Sequence, residues 1–474
     1  MSGRPLCVDL DGTLVRADGL AEGLTSLLRR PDSWISLLRA LFSGQAAMKA
    51  RVAQLSHPEI ATLPYREDLV SFLRSERKRG RTIVLATGAN RRYAEAVAAH
   101  LGCFNLVLAS DGEINLVGDR KRQALVKRFG ERGYDFIGDG ENDRTVAASA
   151  ELVHPAGRAP SLRRLVADDP ARAGRSFGDA ERGGAASWLR LIRPHHWAKN
   201  LLVAVPIIAA HRLFDPSAFF ATVGAFAAFS AAASSVYLLN DTLDAASDRA
   251  HRRKRLRPIA SGEIGASSAL LVSLLLALLA LLLTLPSDGG LTLIVALYLL
   301  SSTLYSTWLK RIAPLDTVTL AGLQLARIIG GGLASTIPTS PWLLGFAFAI
   351  LWSFALAKRT AELSELDPGE APDTGRDWQP SDRPLALAFG AALTVAALLT
   401  LILYAGSDDA LMLYRRPEAL WLIIPLLAAW ASRLWLISWR GLLRADPILW
   451  GLSDVPTLLL LVCSGLLVFW GAIG

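Results

Sequence analysis

Two regimes of hydrophobic patterning divide the chain. In the first third, short apolar runs end in small or acidic residues and are separated by longer stretches of helical character. Leu6 to Leu10, Thr82 to Ala86, Leu106 to Ala109 and Phe136 to Ile137 are the strand candidates, and residues 20–75 are largely helical. Strands alternating with helices predict a parallel sheet with helices on both faces. In such a sheet the functional residues sit at the carboxyl ends of the strands.

From residue 198 onward the pattern changes to long apolar stretches. Nine are discernible, near 198–215, 217–241, 266–285, 290–308, 315–336, 341–360, 385–406, 418–437 and 454–473. Each approaches the roughly 20 residues that cross a bilayer as a helix. Pro206 and Pro338 are expected to shorten or kink their helices. Residues 156–187 are rich in Arg, Ala, Gly, Pro and Asp and read as a linker. Trp188 to Lys199 mixes aromatic, apolar and basic residues, as a segment lying at a membrane interface does. The expected organisation is therefore a soluble domain over 1–155, the linker, and an all-α polytopic membrane domain over 188–474. The loops after the even-numbered stretches carry most of the Lys and Arg between spans. The positive-inside rule places them, with the first domain, in the cytosol. Nine spans would put the C-terminus on the far side.

Composition sharpens this division. Over 474 residues the hydrophobic share is 52% and the mean hydropathy +0.35, more apolar than an ordinary soluble enzyme. The net charge of +8 does not point to nucleic acid, because the basic residues cluster beside apolar runs and no aromatic-interleaved basic stripe is present. Cys7, Cys103 and Cys463 show no CxxC spacing, so neither a disulfide framework nor a zinc site is implied. The first nine residues lead directly into a strand, without the pattern of a signal peptide.

The first chemical constellation lies at the strand ends. Asp9-Leu-Asp11-Gly12-Thr13 ends the first strand, and the spacing of two directs both carboxylates to one side. Thr87-Gly88 ends the second. Lys121 opens a helix, and Gly138-Asp139-Gly140-Glu141-Asn142-Asp143 ends a later strand. A hard cation takes carboxylate oxygens, and a carboxylate can act as a nucleophile. At these residues the chain resembles the haloacid-dehalogenase superfamily of phosphatases, over roughly 5–155. That resemblance implies a Rossmann-like α/β fold with a small helical cap over about 14–80. It implies Asp9 as nucleophile, Asp11 as general acid and base, and Thr87 and Lys121 as phosphoryl-holding groups. One magnesium ion would be bound by Asp9, Asp139 and the backbone of Asp11, with Asp143 in support.

The second constellation ends the second apolar stretch. Asn240, Asp241, Asp244 and Asp248 fall within an arc of about 100° on a helix. Charges at membrane depth are costly and are normally partnered; magnesium bridging to a diphosphate suits them. A basic loop with Lys254 and Arg257 follows. Tyr305, Lys310 and Asp316 flank the next cytosolic loop, and Lys358, Arg359 and Glu362 end the sixth stretch. Arg327 lies inside the fifth, where a carboxylate or phosphate partner is expected.

This layout resembles the UbiA superfamily of intramembrane transferases. The aromatic prenyltransferases of that family carry a second acidic motif near the end of the sixth span. This chain has Lys358-Arg359-Thr-Ala-Glu362 there, and Arg193-Pro-His-His-Trp-Ala-Lys199-Asn200 before the first span. Both features resemble the decaprenyl-phosphate phosphoribosyltransferase branch. The resemblance implies transfer of 5-phosphoribose from 5-phosphoribosyl diphosphate to a polyprenyl phosphate at the inner face of a bacterial cytoplasmic membrane. It implies one or two magnesium ions on Asn240, Asp241, Asp244 and Asp248. Lys199, Lys254, Arg257, Lys358 and Arg359 would hold phosphates. The first domain would then remove the 5-phosphate of the product. The alternative readings are a prenyltransferase acting on an aromatic acceptor, an inert first domain, or a regulated transporter.

Overall fold

A computed structural model of the chain describes all residues except 1–2, 29–30, 34–35, 37–50, 57–58, 112–113, 158, 179–182, 365–376, 444–445, 452 and 474. Part of the expected cap, residues 37–50, therefore lies outside the described residues. By packing the chain divides into two units: Met1–Ile192 with Tyr237–Leu274, and Arg193–Val236 with Leu275–Gly474.

The first unit is built on a five-stranded parallel sheet, β1 (Leu6–Val8), β2 (Ile83–Asn90), β3 (Leu106–Ser110), β4 (Asp135–Gly138) and β5 (Val153–Pro155), in the order β3-β2-β1-β4-β5. The period of two is visible in what each strand buries. Leu6, Val8, Ile83 and Leu85 join one core with Leu69, Leu73, Ala94 and Val97 of the helices Glu67–Lys78 and Arg91–Leu101. Cys7, Val84, Ala86 and Phe136 join the opposite core with Leu125, Val146 and Leu162 of the helices Asp119–Phe129, Arg144–Ala148 and Pro160–Asp168. Such a sheet, covered on both faces, leaves its strand ends as the place for polar chemistry.

Two features depart from the sequence expectation here. β2 continues to Asn90, with a register shift between Thr87 and Asn90. The expected linker is folded over much of its length. The Pro160–Asp168 helix starts on a proline and buries Leu162. Ala173 and Phe177 then form bridges to Val153 and Ala156, and Phe177 is fully buried. Arg172 donates to the carbonyls of Ala147, Ala148 and Ala150. The helical leucine spacing is short and set in an Arg/Ala-rich context, which hides it from a compositional reading.

The first unit also contains residues 237–274. Leu191, Leu238, Ala245, Ile259, Ile264 and Ala269 form one buried cluster with Ala21 of the helix Gly19–Leu28. Ser187 and Arg190 both donate to Glu263, at 2.8 and 2.7 Å. Arg249 forms a bidentate ion pair with Glu22, with one oxygen at 3.0 Å and both side chains nearly inaccessible.

The second unit is helical. Among the described residues, seven helices are long and apolar enough to cross a membrane: Pro216–Leu243, Gly290–Thr307, Leu315–Ser335, Pro341–Leu363, Pro380–Ala405, Glu418–Trp439 and Val455–Ala472. The first of these runs on into the first unit. Large apolar side chains stand outward along them, Phe220, Leu403 and Leu466 among them, as on a surface solvated by lipid. The protein is a multi-pass membrane protein. Two of the nine expected stretches do not form helices of that length. Ala266–Leu282 has 17 residues. The 198–215 stretch is a 3-10 run, Pro194–Ala204, followed by the short helix Val205–Ala209.

The reason for the second departure is local. Asn200 donates to Ser230, and Trp197 donates to Ser234. The backbone of the run presses on a triple glycine, where a Cβ on Gly331 would lie 1.9 Å from the Val203 carbonyl oxygen. Side-chain anchoring and close backbone approach thus set the path, and Pro206 withholds an N–H just beyond it.

Candidate active sites

At the carboxyl edge of the sheet, Asp9 follows β1, Asp139 and Asp143 follow β4, and their carboxylate oxygens lie within 4.8 Å of one another. Lys121, buried in the first turn of its helix, donates to Asp9 at 2.8 Å and to Asp143 at 2.9 Å. The second oxygen of Asp143 accepts from the Asp139 and Gly140 amides. The Thr13 hydroxyl donates to Asp139 at 3.1 Å. Gly12 has φ +78°, and a Cβ there would meet the Asp139 carboxylate at 2.4 Å, so the turn requires glycine.

Burial pushes the Asp9 carboxyl up to about 7; Lys121 opposes this, and Asp143 and Asp139 add to it. Burial also works against the Lys121 ammonium, but Asp9 and Asp143 outweigh it and hold the proton on. Three acids against one lysine leave a net negative, oxygen-only pocket. That donor set fits a magnesium ion, and the cluster is typical of a haloacid-dehalogenase metal site.

The other expected groups surround this cluster. Thr87 is buried, and its hydroxyl accepts from the Ala89 amide at 3.0 Å. Asp11 accepts from the Gly19 amide at 2.9 Å. It opens onto a cavity of about 360 Å³ whose polar lining includes Asp18, Gln54, Asn90, Arg92 and Tyr93. The Tyr93 hydroxyl is buried with no bonding partner among the described residues.

Arg66, absent from the sequence reading, fastens the motif loop. Its guanidinium donates to the Thr13 and Gly12 carbonyls at 2.8 and 3.0 Å. Its only sequence signal is that it immediately precedes the acidic first turn of the Glu67–Lys78 helix.

The second acidic motif also lies in the first unit, at the end of the Pro216–Leu243 helix and in the helix Ala245–Ala250. Asp241 and Asp248 are buried, while Asn240 and Asp244 are partly exposed. Arg257 reaches back to both buried acids, at 3.2 and 2.7 Å. Among the described residues only Asp9, Asp139 and Asp143 form a three-carboxylate cluster tight enough for one ion. The second motif has the oxygen donors a divalent cation takes, but two of its acids are engaged by an arginine. Lys254 lies in the following 3-10 turn, Lys254–Leu256.

In the second unit, Lys199, Tyr305, Lys358 and Arg359 line one cavity of about 140 Å³, together with Gln324 and Asp446. Lys199 bonds to Asp446 at 2.5 Å. Arg359 bonds to fully buried Asp316 at 2.8 Å and to Glu362. Asp316 also accepts from the Trp378 indole at 2.8 Å. Asp316 and Glu362 thus hold the arginine. Lys310 stands outside this cavity, in the 3-10 turn Leu309–Arg311.

Arg327 departs from expectation. Its partners are neutral: the Asn200 amide oxygen at 2.7 Å, the Tyr298 hydroxyl at 2.9 Å and the Leu323 carbonyl at 2.6 Å. Its guanidinium also lies over the Tyr298 ring. Polar acceptors and an aromatic face satisfy it without a counter-charge. Asp446 and Gln324 were missed because a lone acid in a short loop and a lone amide within a span carry no motif.

Comparison with known proteins agrees with this organisation. Residues 201–471 match the UbiA prenyltransferase family, and residues 6–148 match the haloacid dehalogenase-like hydrolases. The chain belongs to the UbiA prenyltransferase family and carries an N-terminal haloacid-dehalogenase domain. It is 33% identical over 458 residues to the protein y4nM of Sinorhizobium fredii, covering 95% of this chain and 87% of that one. It is 40% identical over 180 residues to a decaprenyl-phosphate phosphoribosyltransferase of Mycolicibacterium smegmatis, covering 37% of this chain and 56% of that enzyme. A solved UbiA homolog from Archaeoglobus fulgidus, bound to GPP and Mg2+, aligns with 60% of this chain and 99% of its own at 18% identity and a TM-score of 0.48.

Proposed function

We propose that the membrane half transfers 5-phosphoribose from 5-phosphoribosyl diphosphate to a polyprenyl phosphate, and that the N-terminal domain then removes the 5-phosphate. The observation that carries this reading is the cavity at the end of the Pro341–Leu363 helix. It offers Lys358 and Arg359 where an aromatic prenyltransferase would offer acids. A lipid phosphate is already ionised at neutral pH, so its oxygen needs no general base to attack. It forms the new bond at C1 of the ribose while the C1–O bond to diphosphate breaks. Asn240, Asp241, Asp244 and Asp248 are the residues that would hold magnesium, with Arg257 released from Asp241 and Asp248 to face phosphate. Magnesium there would offset charge on the departing diphosphate.

In the N-terminal domain Asp9 would attack the 5-phosphate, with Lys121 offsetting charge on the phosphoryl oxygens and Thr87 holding one of them. Asp11, at the mouth of the cavity, would protonate the leaving ribose oxygen. It would then draw a proton from the water that cleaves the aspartyl-phosphate. Magnesium held by Asp9, Asp139 and the Asp11 backbone would neutralise the approaching anion.

The finer topology belongs to the same proposal. The Pro194–Ala204 run rises about 22 Å at about 2.0 Å per residue, and Val205–Ala209 adds roughly 7 Å, near the hydrocarbon thickness. With Ala266–Leu282 this makes nine crossings, the basic loops and N-terminal domain in the cytosol and the C-terminus outside.

The test is product analysis by mass spectrometry with purified full-length protein, polyprenyl phosphate and 5-phosphoribosyl diphosphate. Wild type is expected to yield polyprenyl-phosphoryl-ribose, Asp9→Asn the 5-phosphorylated lipid, and Asp241→Asn neither. Identical products from wild type and Asp9→Asn remove the phosphatase role. Turnover of a prenyl diphosphate with an aromatic acceptor, and none of the phosphoribosyl donor, removes the transferase reading.

A further inference from the structure

We infer that the cavity bounded by Lys199, Tyr305, Gln324, Lys358, Arg359 and Asp446 seats the sugar-phosphate part of the donor, with Gln324 reading a ribose hydroxyl. The inference deepens the transferase reading above and rests on it.

Some polar groups around the cavity already have partners, and others do not. Lys199 is paired with Asp446 at 2.5 Å, and Arg359 with Asp316 at 2.8 Å. Among the described residues Lys358 has only a 3.9 Å contact to Glu362, with its side chain 38% exposed, and the Nε of Arg359 is buried with no hydrogen-bond partner. Lys358 and Arg359 Nε are therefore donors with bonding capacity left, and an anion satisfies both.

Gln324 has the opposite need. Its Oε1 is buried with no hydrogen-bond partner among the described residues. The nearest guanidinium in sequence, Arg327, spends its N–H groups on Asn200, Tyr298 and the Leu323 carbonyl. A buried acceptor left unpaired costs as much as a lost hydrogen bond. A dianionic phosphate ester, the form above its second pKa of about 6, brings acceptors only, so it cannot satisfy this oxygen. A hydroxyl can.

One ligand must therefore bring both an anionic phosphate and a hydroxyl. A sugar phosphate does. A polyprenyl phosphate has no hydroxyl, and its chain does not suit a cavity of about 140 Å³. The apolar walls, Leu351 and Phe354 among them, offer a face to the sugar ring rather than to a second charge. This separates the two phosphate-bearing substrates: the donor's sugar phosphate sits here, and the lipid phosphate binds elsewhere.

The test uses full-length protein in nanodiscs, in an Asp9→Asn background so that the probe is not hydrolysed. Calorimetric titration at about pH 8 compares ribose 5-phosphate with methyl phosphate, a dianion there with no hydrogen-bond donor, and steady-state assays give KM for each substrate. Gln324→Met keeps the side-chain length and removes both polar atoms. It is expected to weaken ribose 5-phosphate about tenfold, the upper range for one neutral hydrogen bond. Methyl phosphate affinity should not change. KM for 5-phosphoribosyl diphosphate should rise while that for polyprenyl phosphate stays constant. Lys358→Met should weaken both probes, which separates the hydroxyl contact from the phosphate contact.

Unchanged ribose 5-phosphate affinity and unchanged donor KM in Gln324→Met overturn the inference. So does a rise confined to the KM of the lipid phosphate. A wild-type protein that makes no phosphoribosyl lipid, yet binds ribose 5-phosphate through Gln324, refutes the transferase reading and leaves the sugar-phosphate seat standing.

Discussion

His154 shows how a single side chain can tie the stability of the N-terminal fold to pH. It sits in β5 against Phe72 and Phe177, and its Nδ1 accepts the Arg175 amide proton at 2.8 Å. That bond requires an unprotonated Nδ1, and burial holds the imidazole below its usual range. The unfolded chain therefore binds a proton that the folded chain refuses. The stabilisation is complete above about 6.5, the free histidine value, and is lost progressively as the pH falls below it. Thermal melts of the full-length protein are expected to show a falling midpoint for the N-terminal transition between pH 7 and 5. His154→Gln, whose amide oxygen can accept the same proton, should flatten that slope; an equally steep slope in the variant would assign the effect elsewhere. The placement of Asp9, Asp139 and Asp143 after strands, and of Lys121 at a helix start, was readable one residue at a time; the roles proposed for them came from the resemblance of their motifs. Asp446, Gln324 and Arg66 were not readable, because each acquires meaning only from a partner distant in sequence.

Among the elements, β1 to β4 were legible because each reads as a short continuous apolar run, whereas β5, three residues that include His154 and Pro155, was not. The membrane-length helices were legible because their outward faces are apolar too. The Pro194–Ala204 segment was not. Its apolar composition matches a helix, but the bonds from Trp197 and Asn200, and the contact of Val203 with Gly331, hold it in a 3-10 path. A hydropathy pattern does not encode such a contact. Gly331→Ala would place a methyl group 1.9 Å from the Val203 carbonyl oxygen, so the segment must move, and Lys199 moves with it. Overpacking of this kind costs typically 1–3 kcal/mol. Transferase activity is expected to fall at least tenfold, with Asp9-dependent hydrolysis of a soluble sugar phosphate within twofold of wild type. Equal loss of both activities would mean general misfolding, and no loss would mean that the segment's path is not needed.

In the whole molecule, the packing boundary does not follow the sequence boundary. Residues 237–274, which carry the second acidic motif, pack with the helix Gly19–Leu28 through the Glu22–Arg249 pair and the cluster around Leu238. Breaking a buried ion pair by removing one charge typically costs 3–5 kcal/mol. Glu22→Gln is therefore expected to lower the proposed phosphoribosyl transfer, although Glu22 belongs to the N-terminal haloacid-dehalogenase domain. Asp9→Asn, which leaves that pair in place, should spare transfer. The two variants assayed side by side make the comparison, and full transferase activity in Glu22→Gln would refute it.

Arg249 also limits how this polypeptide can be taken apart or rebuilt. A domain swap that put an unrelated hydrolase before the same helices would strand a guanidinium one residue from Asp248. To keep its loop in shape, the replacement would have to bring a carboxylate to the position Glu22 now fills. The two stretches of sequence are thus not interchangeable beads on a string; the first completes a fold that residues 237–274 depend on.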